Sequence, residues 1–410
     1  MNDLKYAFFI KSFFIFFLSL FTFFSILNLI VDPYGIHNLV RKEGFNLNKP
    51  SIQTHLRMAK AYSVRQLKPQ SIILGTSRAE FGLDPSHPEL KFQPSYNLNL
   101  SGGNAYEMYR YFQHTNEVSN LKQIVLALDF FQFDINNKNS PDFREDRLSI
   151  NYSGELNKIE MPWEDIFDSL FSLDAFLDSL STLMEQGERP IYLDNGLIDA
   201  TTTRRVKLMP ITGQRQLFLN NEKRYFNKTY KGFELGVSAE GTSSLENFRL
   251  LIAMAYKENL ELHILINPAH ARQFETIYQS GLWDDFQFWK IQLVKLNERE
   301  AALADKKPYP IWDFSGFNQF TTESVPEASD KVSRMLWYWE SSHFKTELGN
   351  LVLTKVLGKN DRKKNENPFG VLINSRNIES HNEKINADRR RWRENNYQDV
   401  IEIESLTSAN

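Results

Sequence analysis

The feature that most constrains this chain is the run from Ser12 to Val31, SFFIFFLSLFTFFSILNLIV, twenty residues without a charged side chain. About twenty apolar residues are what a helix needs to cross the ~30 Å hydrocarbon core of a bilayer. Phe recurs on every face of a helix drawn through the run, unlike the one-sided stripe of a helix lying on a protein core. The rival is a cleaved leader, whose apolar segment usually spans about 7–15 residues and ends at a small-x-small site. No such site precedes Asp32-Pro33. Lys5 and Lys11 precede the run, Asp3 partly offsets them, and Arg41 and Lys42 follow it. That bias slightly favours an N-terminus on the inside. The expectation is a signal anchor, with residues 1–11 cytoplasmic, 12–31 in the membrane and everything after Asp32 extracytoplasmic (periplasmic).

The rest of the 410 residues have the make-up of a folded, soluble body. Charged residues are 24% and the formal net charge is −3, which offers no electrostatic case for nucleic acid. There is no cysteine, so disulfide frameworks and thiolate metal sites are excluded. The eight His are scattered without ligand spacing, and neither a metal nor a cofactor is expected.

A polar lead-in over 32–70 ends in a helix expected at Thr54 to Leu67. Short apolar runs at 71–75, 96–100 and 123–128, with a helical stretch at Ala105 to Val118 between the last two, give a strand-helix-strand rhythm. That rhythm argues for a parallel sheet with crossover helices. Residues 134–240 lose it, apart from one amphipathic helix near Glu164 to Met184, and read as an insertion. The rhythm resumes with a helix at Ser244 to Glu258, a strand at Glu261 to Ile266, and helices at Ala271 to Tyr278 and Asp284 to Ala304. A strand at Tyr309 to Phe314 and a closing helix at Glu347 to Leu357 follow. Residues 358–410 read as a polar tail, with Arg389-Arg390-Arg391 on a solvated helix. The fold class expected is α/β: a three-layer αβα domain over 71–357 with a mainly parallel sheet.

Two stretches carry chemistry. Leu74-Gly75-Thr76-Ser77-Arg78 sets a serine just past the carboxyl end of a strand, where open α/β sheets bind their ligands. Trp339-Glu340-Ser341-Ser342-His343 sets a carboxylate three residues before a histidine, within reach of its Nδ1–H. Either alone has a structural reading, as a helix cap or a loop histidine; together across one sheet edge they make a nucleophile and its base.

These residues resemble the blocks of the SGNH (GDSL-like) esterase and acyltransferase superfamily. Gly75-Thr76-Ser77-Arg78 is similar to its first block and Asn97-Leu98-Asn99-Leu100-Ser101-Gly102 to its second. Glu340-x-x-His343 is similar to its last block, usually Asp-x-x-His. The likeness covers residues 70–130 and 260–357. With the N-terminal anchor it resembles the membrane-anchored branch that acts in O-acylation of exported polysaccharides, such as alginate acetylation and teichoic-acid D-alanylation proteins. The resemblance implies Ser77 as nucleophile, His343 as base and acid, and Glu340 orienting His343. It implies the amides of Ser77 and Gly102 as oxyanion donors, a polysaccharide substrate and a membrane-bound O-acyltransferase as partner.

Two positions depart from the family pattern. Glu340 replaces Asp, and Asp129 stands where the family has an Asn donor. An ionised Asp accepts only, so Asp129 is expected to be protonated, turned away or, preferably, paired with Arg78. Asn104 is then a candidate for the missing amide. His270, in Asn267-Pro268-Ala269-His270, is a candidate pocket residue or rival base, as are Arg78 and Asp129 for the pocket, and Asp313 is an alternative acid. Trp337, Tyr338 and Trp339 read as packing before sugar stacking. The functional expectation is an esterase or acyltransferase; the alternative is an inactive glycan-binding or scaffold protein.

Overall fold

The computed structural model describes residues 2–157, 159–187, 189–236, 243–358 and 369–407. In chain order the helices are α1 (Asn2–Val31), α2 (Leu56–Leu67), α3 (Ser77–Gly82), α4 (Ala105–Val118), α5 (Trp163–Ile166), α6 (Leu173–Met184) and α7 (Arg204–Thr212). They continue as α8 (Gln214–Arg224), α9 (Ser244–Lys257), α10 (Ala271–Gln279), α11 (Trp283–Leu303), α12 (Thr346–Leu357), α13 (Ile378–Asn395) and α14 (Tyr397–Thr407). The strands are β1 (Ser71–Leu74), β2 (Ser95–Asn97), β3 (Gln123–Leu128), β4 (Glu261–Ile266), β5 (Ile311–Asp313) and β6 (Val371–Ile373). Two compact units emerge, one of Met1–Gln66 with Asp142–Leu193, the other of Leu67–Pro141 with Asp194–Asn410.

The larger unit is α/β. Among the described residues its six strands lie in the order β2-β1-β3-β4-β5-β6. All neighbours pair in parallel except β5 and β6, in agreement with the expected αβα class. β1 and β3 are buried along their whole length, as unbroken apolar runs such as IVLAL require when both sheet faces are covered. β1 pairs with β2 on one side and β3 on the other, so the connections leave it in opposite directions. That is the switch point where doubly wound sheets open a crevice at the strand ends. The core under it joins Ile73, Val125, Ala127 and Leu265 of the sheet to Phe344, Leu348, Val352 and Val356.

One crossing in this unit has no slack. A Cβ on Gly349 of α12 would lie 1.7 Å from the carbonyl oxygen of Gly82 in α3, and one on Gly82 would lie 2.0 Å from the Phe344 ring. Two glycines therefore let the helix that starts at Ser77 touch the one that follows His343.

The smaller unit is helical. α1 is long and apolar enough over Lys5–Val31 to cross a membrane. Its core gathers Tyr34, Ile36, Met58, Tyr62 and Ala175. Arg147 grips Asp165 through two bonds of 2.7 Å, and Tyr62 donates to the same carboxylate at 2.7 Å.

Three expectations change. The helix read near Glu164 to Met184 is broken: a wider turn over Phe167–Phe171 follows α5, and Ser172 restarts the chain as α6 by accepting from Ala175 N–H. The insertion read over 134–240 is divided, with 142–193 joining the unit of α1 and 194–236 returning to the α/β unit. The segment read as a tail adds β6, α13 and α14, because its charges have partners inside the fold. Arg389 is buried against Glu275 at 3.2 Å and lies over the Tyr278 ring, while Asp399 and Glu402 take Arg272 at 2.6 Å each. Positions 158, 188 and 237–240 of the expected insertion, and 359–368 and 408–410 of the expected tail, lie outside the described residues.

Candidate active site

Ser77 opens α3 directly after β1, with Thr76 as the cap accepting from Arg78 N–H. Gly75 is required here, since a Cβ would lie 2.5 Å from the Ala127 carbonyl on β3. After β2 the chain keeps bonding to β1, Leu98 N–H to Ile73 O at 2.8 Å and Leu100 N–H to Gly75 O at 2.9 Å. Those bonds carry Ser101 and Gly102 to the rim of the cavity that Ser77 lines.

His343 reaches Ser77 from the loop before α12. Trp339 N–H donates to His343 O at 2.9 Å, and Tyr338 bridges Phe344, closing a tight loop around Glu340, Ser341 and Ser342. The loop folds the Glu340 carboxylate back onto His343 Nδ1. His343 Nε2 lies 2.8 Å from Ser77 Oγ. Glu340 accepts the hydrogen bond from His343 Nδ1–H, which fixes the proton on Nδ1 and leaves the Nε2 lone pair facing the serine hydroxyl. Glu340 is fully buried, yet it is well supplied: Ser342 N–H at 3.0 Å, His343 N–H at 3.2 Å and Ser342 Oγ–H at 3.1 Å all donate to it. Asn221 of α8 braces the loop, its Nδ2 donating to Ser341 Oγ at 2.9 Å and Ser342 Oγ at 3.1 Å. The Glu-for-Asp departure is thus absorbed by the loop.

Ser77 opens on a cavity of about 430 Å³ whose walls include Gly102, Phe131, Arg224, Tyr225, Lys228 and Lys231. Three of these are exposed cations, and Asp134 is the one acidic side chain among the described lining residues.

Several other candidates stand elsewhere. Asp129 pairs with Arg78 at 3.0 Å, as preferred from the sequence, and also accepts from Thr76 Oγ1 and from Asn267 Nδ2 at 3.1 Å. Both Asp129 and Arg78 are buried and absent from the cavity lining, which corrects their placement as pocket residues. Arg78 is a strut instead: it donates to Tyr225 Oη at 3.1 Å and lies over the Phe131 and Tyr225 rings. Burial opposes its charge, but Tyr225 and Asp129 outweigh that and hold the guanidinium above its ordinary value.

Asn104 caps α4 by accepting from Glu107 N–H, and its amide donates to Asn137 O and Asn139 Oδ1 at 2.8 and 2.9 Å. It lines a neighbouring pocket with Ser244 and Asn247, and with its amide engaged there it does not take the oxyanion-donor place proposed for it. His270 is a structural cap. Its Nδ1 accepts from Arg272 N–H at 3.2 Å and its Nε2 faces Glu323 O at 2.6 Å, between the rings of Phe218 and Tyr338. Burial pushes its pKa down to about 4, and neither nitrogen is available as a rival base. Asp313 is held by Lys290 at 3.1 Å and His381 at 2.9 Å. Burial works against its charge, but those neighbours outweigh it and hold the carboxyl well below the usual range. Tyr338 is buried, Trp337 packs on Phe320 and Trp339 under Lys345; none of the three lines the cavity.

Sequence reading missed Asn221, Tyr225 and the cation group, all within the supposed insertion. The one available signal was Arg224, Lys228 and Lys231, spaced to share a helical face. Among the described residues no group of three His, Asp or Glu is arranged to hold a metal ion. Comparison with protein-family models, with curated proteins and with solved structures gave no match in any of the three.

Proposed function

We propose that the protein is a membrane-anchored, extracytoplasmic serine esterase or acyltransferase of SGNH type that moves O-acyl groups, acetyl above all, on an acidic glycan. The observation that carries this reading is the hydrogen-bonded series Ser77–His343–Glu340 at the mouth of a cation-lined cavity. In the reaction Ser77 Oγ attacks the ester carbonyl as its proton passes to His343 Nε2. His343 then protonates the departing alkoxide, leaving an acyl-serine. A sugar hydroxyl or water, deprotonated by His343, attacks that ester and restores Ser77. The main-chain amides of Ser77 and Gly102 are the proposed oxyanion donors, each worth about 2.7–4 kcal/mol in the transition state. Arg224, Lys228 and Lys231 suit carboxylates or phosphates along the substrate, and a membrane-bound O-acyltransferase is the natural supplier of acyl groups.

A second reading, a non-catalytic glycan-binding or scaffold member, has one observation in its favour. Asp129 contributes no side-chain donor to the cavity. Turnover of a chromogenic acetyl ester, with and without an acidic oligosaccharide acceptor, tests the choice. Wild type should release the chromophore and transfer acetyl to the acceptor, while Ser77→Ala should do neither. Turnover equal in wild type and Ser77→Ala, or in neither, favours the binding reading.

A further inference from the structure

The α5–α6 segment carries an apolar face that neither the core nor the proposed reaction uses. In α6 the small residues Ala175, Ser179 and Thr182 are buried, while Leu173, Leu177, Leu180 and Met184 on the opposite side are 67%, 53%, 37% and 84% exposed. At about 100° per residue the four exposed side chains fall in one stripe. Trp163 and Phe167, from α5 and the turn after it, are also exposed.

This face is continuous with the apolar surface of α1. Phe176 packs on Phe24 with ring centroids 4.3 Å apart, and Phe171 stacks on Phe21 at 5.3 Å. A polar link locks the rotation of the two helices: Asn28 Nδ2 donates to Leu170 O at 3.0 Å, and Ser179 Oγ donates to Asn28 Oδ1 at 2.9 Å. The depth also fits. With the twenty uncharged residues Ser12–Val31 spanning the ~30 Å hydrocarbon core, α1 leaves that core near Val31. Phe24 lies about 10 Å before that end, within the ~5–10 Å to which interfacial helices sink their apolar faces.

We infer that α5 and α6 form a lipid-binding foot, with the stripe Leu173–Leu177–Leu180–Met184 and Trp163 seated in the interfacial layer of the membrane that α1 crosses. The inference rests on reading α1 as an anchor, and not on the enzymatic reading. Trp at the rim matches the interfacial preference of its amphipathic ring. From Ile159 to Gln186 there is no Lys or Arg, and the polar flank of α6 carries Asp174 and Asp178. The seating is therefore apolar, without the attraction to anionic lipids that basic interfacial helices use.

The chain has no cysteine, so single-cysteine variants of the full-length protein report one position each. Leu18→Cys, Leu177→Cys, Met184→Cys, Asp174→Cys and Glu185→Cys are labelled with an environment-sensitive fluorophore and reconstituted into phosphatidylcholine vesicles. Expected is several-fold stronger quenching by acyl-chain spin labels than by aqueous iodide at 18, 177 and 184, with shallow labels most effective at 177 and 184. The reverse preference is expected at 174 and 185, about 100° around the helix. Neither high salt nor added anionic lipid should alter the pattern. Lipid quenching at 18 with iodide access at 177 and 184 overturns the foot and leaves the anchor. Positions 177 and 184 shielded from both quenchers would mean that protein covers the stripe, which also overturns it. Iodide access at 18 removes the anchor reading and the foot with it.

Discussion

Glu340 is the residue on which the His343 tautomer depends. A carboxylate accepts a hydrogen bond from Nδ1–H, keeps the proton on that nitrogen and leaves Nε2 as an acceptor 2.8 Å from Ser77 Oγ. An amide at the same place can donate to Nδ1 instead, and would turn the proton to the wrong nitrogen. Glu340→Gln should therefore lower kcat by about 10⁴-fold with little change in KM, measured on an acetyl ester. Ser342→Ala should cost far less, because the Ser342 and His343 main-chain amides still hold Glu340. Ser77 and His343 were legible because each sits at a punctuation point, one after an apolar run closed by Gly75, the other before a helix. Asn221 and Tyr225 were not. Their roles arise from contacts across more than a hundred residues, with Ser341 and Arg78, and no local spacing records such a contact.

At the scale of elements, the crossing of α3 and α12 is the hinge of the site. A methyl on Gly349 meets a main-chain oxygen at 1.7 Å, and no rotamer relieves that. Gly349→Ala should destabilise the fold by about 1–3 kcal/mol, as overpacked cores do. It should also slow turnover by about 10²-fold, since shifts near 1 Å between reacting groups have that effect. A thermal melt and an ester assay on the same sample check both. Element types were well marked where apolar period and length agreed: β3, β4 and α4 begin and end where the sequence places them. The period near Glu164 to Met184 ran on through a break, because Ser172 caps a new helix without disturbing the apolar spacing. In α13 and α14 the error was one of meaning. A charged stretch reads as solvated unless its partners are known, and those partners, Glu275 and Arg272, lie on α10.

At the scale of the whole molecule, acid sensitivity follows from His270. Unfolded, its imidazole takes a proton below about pH 6.5; folded, burial delays this to about 4. Between those values the unfolded state binds more protons, so stability falls as the pH is lowered through that window, by about 3 kcal/mol for this group. His270→Asn, which keeps a side chain able to cap α10, should be less stable at pH 7 and flatter between pH 6.5 and 4. Denaturant melts across that range show whether the slopes differ. The account as a whole depends on Ser77 being made nucleophilic by His343, and its most direct test is reaction with a fluorophosphonate followed by mapping of the modified peptide. The predicted result is a single adduct on Ser77 that forms at least about 10²-fold more slowly in His343→Ala. An adduct on another residue, or equal rates in wild type and His343→Ala, would contradict it.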